Sequence, residues 1–86
     1  MNKKVLAVFQ NRTQALTFSR NLVKFSVKTK IVNTPRELTS SCGLSVEFDY
    51  INIKQARQCL LIGDNNSFSG FYIMGSGSGF KKYVRV

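Results

Sequence analysis

The sequence predicts a single α+β domain built on an antiparallel sheet. Strand-like segments, with continuous or alternating apolar residues, are interspersed with segments in which apolar residues recur every three or four positions, as in helices. The chain has 86 residues, a length that fits one domain. Its hydrophobic content of 43% is that of a folded protein with a small core and excludes a disordered chain.

The first two elements are a buried strand and an amphipathic helix. The apolar run over residues 4–9 predicts the strand. Asn11 fits a helix N-cap, and Gln14 stands where it would complete a capping box. The helix is expected over residues 12–25. Its apolar face would consist of Ala15, Phe18, Leu22 and Phe25.

Two further strands are predicted over residues 27–33 and 44–50, and the second has the cleanest alternation in the chain. Thr34 and Pro35 carry helix-start signals and predict about one helical turn between these strands. Antiparallel pairing of the two strands would place two lysines across from two acids. The residues concerned are Lys28, Lys30, Glu47 and Asp49.

The second half of the chain repeats the helix and strand. Asn52 and Gln55 predict a helix start, and Gly63 fits the C-terminal end of that helix. Its apolar face would consist of Ile53, Ala56 and Leu60. A fourth strand is expected over residues 68–74.

The resulting order, βαββαβ, predicts a ferredoxin-like fold: a four-stranded antiparallel sheet with both helices on one face. Residues 1–74 would form this domain. Residues 75–86 read as a Gly/Ser connector and a basic C-terminal segment, which could add an edge strand. Many unrelated functions use this architecture, so the fold alone does not name a function.

The formal net charge is +9, and residues 1–36 contain no acid. Such a charge attracts nucleic acid, acidic proteins or other anions, or simply keeps the chain soluble. The absence of histidine excludes Cys-His and Ser-His catalytic pairs. With only two cysteines and no histidine, we expect no metal site and no cofactor.

The N-terminal apolar run is too short for a signal peptide, and no segment approaches the roughly 20 apolar residues of a membrane span. We therefore expect a cytoplasmic protein without a membrane partner. Thiols stay reduced in that compartment, so a structural disulfide is not expected.

Cys42 is the principal candidate for chemistry. It lies in a short polar loop beside Ser40, Ser41 and Gly43, small residues that offer little apolar cover. Arg36 and the loop N–H groups could stabilise a thiolate, and the serines could donate hydrogen bonds to it. Burial as a small apolar residue is an equally weighted interpretation of Cys42.

Cys59 has a different context. It falls inside the predicted second helix, next to Leu60, and is interpreted as a packed core residue. A role as resolving cysteine would require its Cα to lie within about 7 Å of that of Cys42.

The segment TPRELTSSCGL, residues 34–44, resembles the selenium/sulfur carrier-like proteins, a family of small single-domain bacterial proteins. Thr-Pro-Arg, Ser-Ser-Cys-Gly and the alternating strand that follows are the matching features. The resemblance extends over nearly the whole domain, to the aromatic strand around residues 70–72. Residues 75–86 look atypical of the family.

The resemblance implies that Cys42 carries sulfane sulfur or selenium(0) as a persulfide or perselenide. A donor, such as a cysteine desulfurase or selenocysteine lyase, would load it, and an acceptor protein would unload it. The protein would then be a carrier or accessory protein more than a true enzyme. The supporting residues at matching positions are Pro35, Arg36, Ser40, Ser41 and Gly43.

Two alternatives come from another class of function. The chain could be a binding or regulatory module without chemistry that uses its basic surface to hold an acidic protein or nucleic acid. For nucleic acid, stacking aromatics would be Phe71, Tyr72, Phe80 and Tyr83. The strand at 44–50 lacks the glycine-and-aromatic motif of RNA-binding ferredoxin-like domains, so this alternative is the weaker one. An exposed strand edge or the C-terminal segment could also support a homo-oligomer.

Overall fold

The computed structural model describes residues 3–36, 38, 43–63, 65–77 and 80–86, and their side chains except those of residues 74–77 and 80–82. The elements are β1 (Lys4–Phe9), α1 (Arg12–Lys24), β2 (Lys30–Asn33), β3 (Leu44–Asp49), α2 (Ile53–Cys59), β4 (Phe68–Gly77) and β5 (Phe80–Arg85). A 3-10 turn, Tyr50–Asn52, leads into α2.

The architecture is α+β, with two helices and one antiparallel sheet of five strands in the order β2-β3-β1-β4-β5. The predicted number of four strands is therefore wrong, whereas the additional C-terminal edge strand that the sequence left open is present as β5. The fifth strand arises because β4 continues to Gly77, beyond the predicted end at residue 74, and pairs along that length with β5. The ferredoxin-like identity of the fold stays a prediction.

The core lies between the sheet and the helices. Val5, Ala7 and Phe9 alternate along β1 and are fully buried in one cluster with residues of both helices. Both helices therefore cover the same face of the sheet, here called the helix face. The helix residues in this cluster are Ala15, Phe18, Leu22, Ala56 and Cys59.

Five phenylalanines form a continuous aromatic network within this core. Phe9 packs on Phe18 at a centroid distance of 5.1 Å and on Phe68 at 5.3 Å. Phe71 meets Phe68 at 4.8 Å and Phe48 edge-on at 5.9 Å. Tilted and edge-on contacts of this kind are favourable for aromatic rings. Through these contacts, β1, β3 and β4 pack together with α1.

One of the two hydrogen bonds predicted for the start of α1 is present. Asn11 accepts a hydrogen bond from the Gln14 backbone N–H at 3.1 Å. Gln14 does not return the bond to Asn11, so the predicted capping box is wrong. Its Oε1 instead accepts from the N–H and hydroxyl of Ser67, at 2.9 Å and 2.6 Å. The Asn11 N–H donates to the Ser67 hydroxyl as well. The helix start is thus bound to the turn before β4.

The end of α1 differs from the prediction. The helix stops at Lys24, and Phe25 is a C-cap residue that is 42% exposed, so its predicted place on the buried face is wrong. Ser26 has a positive φ of 63°, which turns the chain toward β2. Val27 still packs into the core, although β2 itself begins only at Lys30.

The predicted antiparallel pairing of β2 with β3 is confirmed, and Lys30 lies opposite Glu47. The partner of Asp49 is different from the one expected. Asp49 accepts a 2.6 Å hydrogen bond from the Lys4 ammonium group across β1 and β3, whereas Lys28 precedes β2. That hydrogen bond raises the pKa of Lys4 above its ordinary value.

The ends of α2 combine predicted positions with one contact that local patterns do not identify. Asn52 is the N-cap residue of α2, so the predicted helix start is confirmed, although its side chain makes no cap hydrogen bond. At the other end, the Asn65 amide donates to the carbonyls of Leu60 and Ile62, both at 3.0 Å. Gly63 follows with a φ of 72°, the left-handed conformation expected of a glycine near a helix end.

We expect Gln14→Ala to lower the free energy of unfolding by about 1–2 kcal/mol, because Ser67 loses its acceptor in a partly buried site. Urea unfolding measures this loss. The matched control is Thr17→Ala, an exposed position of the same helix, which should stay within about 0.5 kcal/mol of the parent. Equal values for the two variants would contradict the proposed anchoring of α1.

Candidate functional site

Residues 34–43, here called the cysteine loop, connect the neighbouring strands β2 and β3. The last paired residues before the loop are Asn33 and Leu44. Beyond them, the Thr34 N–H donates to the Gly43 carbonyl at 3.1 Å. The loop therefore begins and ends at two hydrogen-bonded residues, and the sheet fixes both of its ends.

Gly43 closes the loop against the central strand. A Cβ at this position would lie 2.7 Å from the Phe9 carbonyl oxygen and 3.3 Å from the Thr34 hydroxyl. Only glycine fits such a close approach of two backbones. Lack of space therefore requires the glycine at position 43.

A hydrogen-bonded pair of hydroxyls, of which one is buried, holds the other end of the loop. Ser45 is completely buried, on the sheet face opposite the helices. Its hydroxyl shares a 2.7 Å hydrogen bond with that of Thr34. A buried hydroxyl without a partner would be destabilising, so this bond favours one position for the start of the loop. The alternation of β3 marked Ser45 only as a polar position and gave no sign of this contact.

A pocket of about 240 Å³ adjoins the loop on this helix-free face. Pro35 of the loop forms part of its wall. The lining combines apolar side chains with an ammonium group, a carboxylate, an amide and a phenol, and so offers both donors and acceptors. The lining residues are Lys4, Leu6, Val32, Asn33, Pro35, Glu47 and Tyr83.

The predicted site residues are only partly located by the structure. Cys42, Ser40 and Ser41 lie outside the described residues. Arg36 is exposed, and Gly43 is buried at the base of the loop. The roles predicted for these residues in stabilising a thiolate on Cys42 stay predictions.

The described part of the segment predicted as a helical turn, residues 34–36, ends in a turn. The described part of this segment shows a 3.0 Å hydrogen bond from the Leu38 N–H to the Pro35 carbonyl. Glu37 lies outside the described residues.

Cys59 is a packed helix residue, as predicted. It is free, 0% exposed and part of the core cluster. Burial raises the pKa of its thiol above the ordinary value, because the apolar surroundings disfavour the thiolate. Such a thiol is neither accessible nor readily ionised, and it is poorly suited to nucleophilic chemistry.

The aromatic residues suggested as a nucleic-acid platform do not form one surface. Phe71 is only 5% exposed and belongs to the core network, so it is unavailable for stacking on a base. The adjacent Tyr72 points to the opposite face, because successive strand residues alternate. The side chain of Phe80 lies outside the described part of the chain.

The described residues contain no group of three or more cysteine, aspartate or glutamate side chains that could hold a metal ion. None of the helices formed by them is both long enough and apolar enough to cross a membrane.

We expect Gly43→Ala to destabilise the fold by about 1–3 kcal/mol, because the added methyl group must displace the backbone of β1 or the loop. The control is Gly63→Asn, which meets no atom within 4 Å and keeps a residue that tolerates positive φ. Gly63→Asn should lower the free energy of unfolding by less than about 1 kcal/mol. A larger loss in the control than in Gly43→Ala, by urea unfolding, would contradict the close approach described here.

Comparison with known proteins identifies a family to which the chain is similar. The family described as "Putative Se/S carrier protein-like" matches residues 4–72, from the start of β1 into β4, and this range includes the whole cysteine loop. No curated protein matches the chain. No solved structure matches it either. Because the family match spans most of the sequence and agrees with the resemblance of residues 34–44, the chain belongs to the Se/S carrier protein-like family.

Proposed function

We propose that this protein carries a single atom of sulfane sulfur or selenium(0) on Cys42, as a persulfide or perselenide. The observation that carries the proposal is the family match, which includes the loop that contains this cysteine. The family description supports a carrier; the assignment of the cargo to Cys42 is our inference.

The second cysteine supports this choice by contrast. A carrier thiol must meet the donor and must ionise, because the thiolate is the attacking form. Cys59 is fully buried, and burial raises the pKa of its thiol. The chain has two cysteines, so Cys42 is the remaining candidate.

The chemistry is an exchange without net oxidation. The Cys42 thiolate attacks the terminal sulfur of a persulfide on the donor protein. A new S–S bond forms on Cys42, the S–S bond of the donor breaks, and the electron pair leaves with the donor thiolate. Unloading is the same exchange with an acceptor thiolate as the attacking group. A selenium atom would pass by the corresponding Se–S exchange.

The geometry around the loop favours such an exchange. The bond between Thr34 and Gly43 and the close packing of Gly43 on Phe9 fix both ends of the loop to the sheet. Attack on a donor persulfide requires a defined approach of two sulfur atoms, which fixed loop ends promote. The exposed Arg36, together with Ser40 and Ser41, would stabilise the negative charge of the loaded thiolate.

We further infer that the fold is ferredoxin-like and that the protein acts in the cytoplasm. The element order and the sheet order β2-β3-β1-β4 support the first inference, with β5 as an addition at the edge. The second follows from the chemistry, since a free thiol and its persulfide need a reducing compartment.

We expect Cys42→Ser to abolish loading while leaving the unfolding transition unchanged. The protein is incubated with a cysteine desulfurase and free cysteine, and intact-mass spectrometry reports the addition of one sulfur atom that dithiothreitol removes. The control is Cys59→Ala, which removes the other thiol and should load like the parent. Equal loading of Cys42→Ser and the parent would refute the assignment to Cys42.

A further inference from the structure

The outer face of α1 carries a row of exposed side chains in which cations and aliphatic residues alternate. The row, here called the α1 stripe, consists of Arg12, Leu16, Arg20, Val23 and Lys24. Arg12, Leu16 and Arg20 follow one another at spacings of four, and Val23 and Lys24 lie three and four residues after Arg20, which places all five on one side of the helix. Leu16 is 43% exposed and Val23 is 58% exposed, although the apolar face of the same helix is already buried in the core.

The stripe has no opposite charge beside it in the described part of the molecule. Neither helix contains an aspartate or glutamate. The described acids, Glu47 and Asp49, lie on β3 and project from the helix-free face. Asp49 is also bound to Lys4 there. Among the described residues, no acid therefore compensates the positive field over α1 on that side of the sheet.

We propose that the α1 stripe is a docking surface for an acidic segment of another protein that also presents aliphatic side chains. Its cations would pair with the acids, and Leu16 and Val23 would bury aliphatic surface between those pairs. Nucleic acid fits less well, because the stripe has no aromatic side chain for base stacking. A membrane surface fits less well too, because two aliphatic residues bury little area in a bilayer.

The stripe begins close to the cysteine loop. A Cβ on Gly43 would lie 3.8 Å from the Cα of Gln10, which stands two residues before Arg12. A segment lying along the stripe would thus reach the base of the loop. If Cys42 is the carrier thiol, as proposed above, the stripe would orient the partner that delivers or receives the cargo; the binding itself does not depend on that proposal.

Binding of a defined probe tests the docking surface. The probe is a fluorescent synthetic helical peptide with glutamates and leucines on one face, and its Kd is measured by anisotropy in about 0.15 M salt. Arg12→Glu with Arg20→Glu should weaken binding about tenfold or more. The matched control, Lys54→Glu with Arg57→Glu on α2, makes the same change in net charge at exposed positions and should weaken it only about twofold.

The aliphatic part of the stripe is tested separately. Leu16→Ser with Val23→Ser leaves the charge unchanged and should weaken binding about fivefold. Cys42→Ser should bind the peptide like the parent, so failure of the carrier proposal and failure of the docking proposal are distinguishable. All variants are first checked for a cooperative unfolding transition.

Three results would overturn the docking proposal. The first is an equal loss in the α1 and α2 charge variants, which would mean that only net charge matters. The second is unchanged binding by Leu16→Ser with Val23→Ser. The third is tighter binding of single-stranded DNA or of phosphatidylglycerol vesicles than of the peptide, with the same dependence on Arg12 and Arg20; either would reassign the surface to that ligand.

Discussion

Burial of the central strand β1 on both faces is the constraint on which the other parts of this protein depend. Every residue from Val5 to Phe9 is at most 7% exposed. On the helix face the strand packs against α1 and contributes Phe9 to the aromatic network. On the other face Leu6 lines the pocket that Pro35 borders. Its last carbonyl, that of Phe9, is the group against which the cysteine loop closes at Gly43. A change in the position of β1 would therefore alter the core and the candidate site together.

Local patterns predicted the elements and several of their details well. Strict alternation identified β3, the spacing of apolar residues identified α1, and the Asn11 cap is confirmed. These features depend on neighbours within a few residues. The errors concern contacts that are distant in sequence. Gln14 bonds with Ser67, which is 53 residues away, and so does not close the local box. The fifth strand likewise depends on the pairing of β4 with β5, which the sequence left open because the Gly/Ser run between them was interpreted as a flexible connector.

The candidate site shows the same division. Residues 34–44 carried both the prediction that Cys42 is reactive and the family resemblance. The family match agrees with the resemblance, and the reactivity of Cys42 stays a prediction. The hydroxyl pair of Thr34 and Ser45 was not evident, because it joins a loop residue to a strand position that merely alternates. The close approach of Gly43 to Phe9 was not evident either, since it depends on the tertiary fold. The two proposals combine sequence and structure. One assigns the cargo to a cysteine on a loop with fixed ends, and the other assigns docking to the α1 stripe, which starts beside that loop.

The rate of alkylation of Cys42 as a function of pH, in the Cys59→Ala variant, tests the central claim most directly. A carrier thiol stabilised as proposed by Arg36 and the hydrogen-bond donors of the loop should ionise with a midpoint well below the value of about 8.5 for a free thiol, and should react rapidly in the folded protein. Slow alkylation with a normal or raised midpoint would show that Cys42 is a structural residue. That result would contradict the carrier account and leave binding through the α1 stripe as the function to pursue.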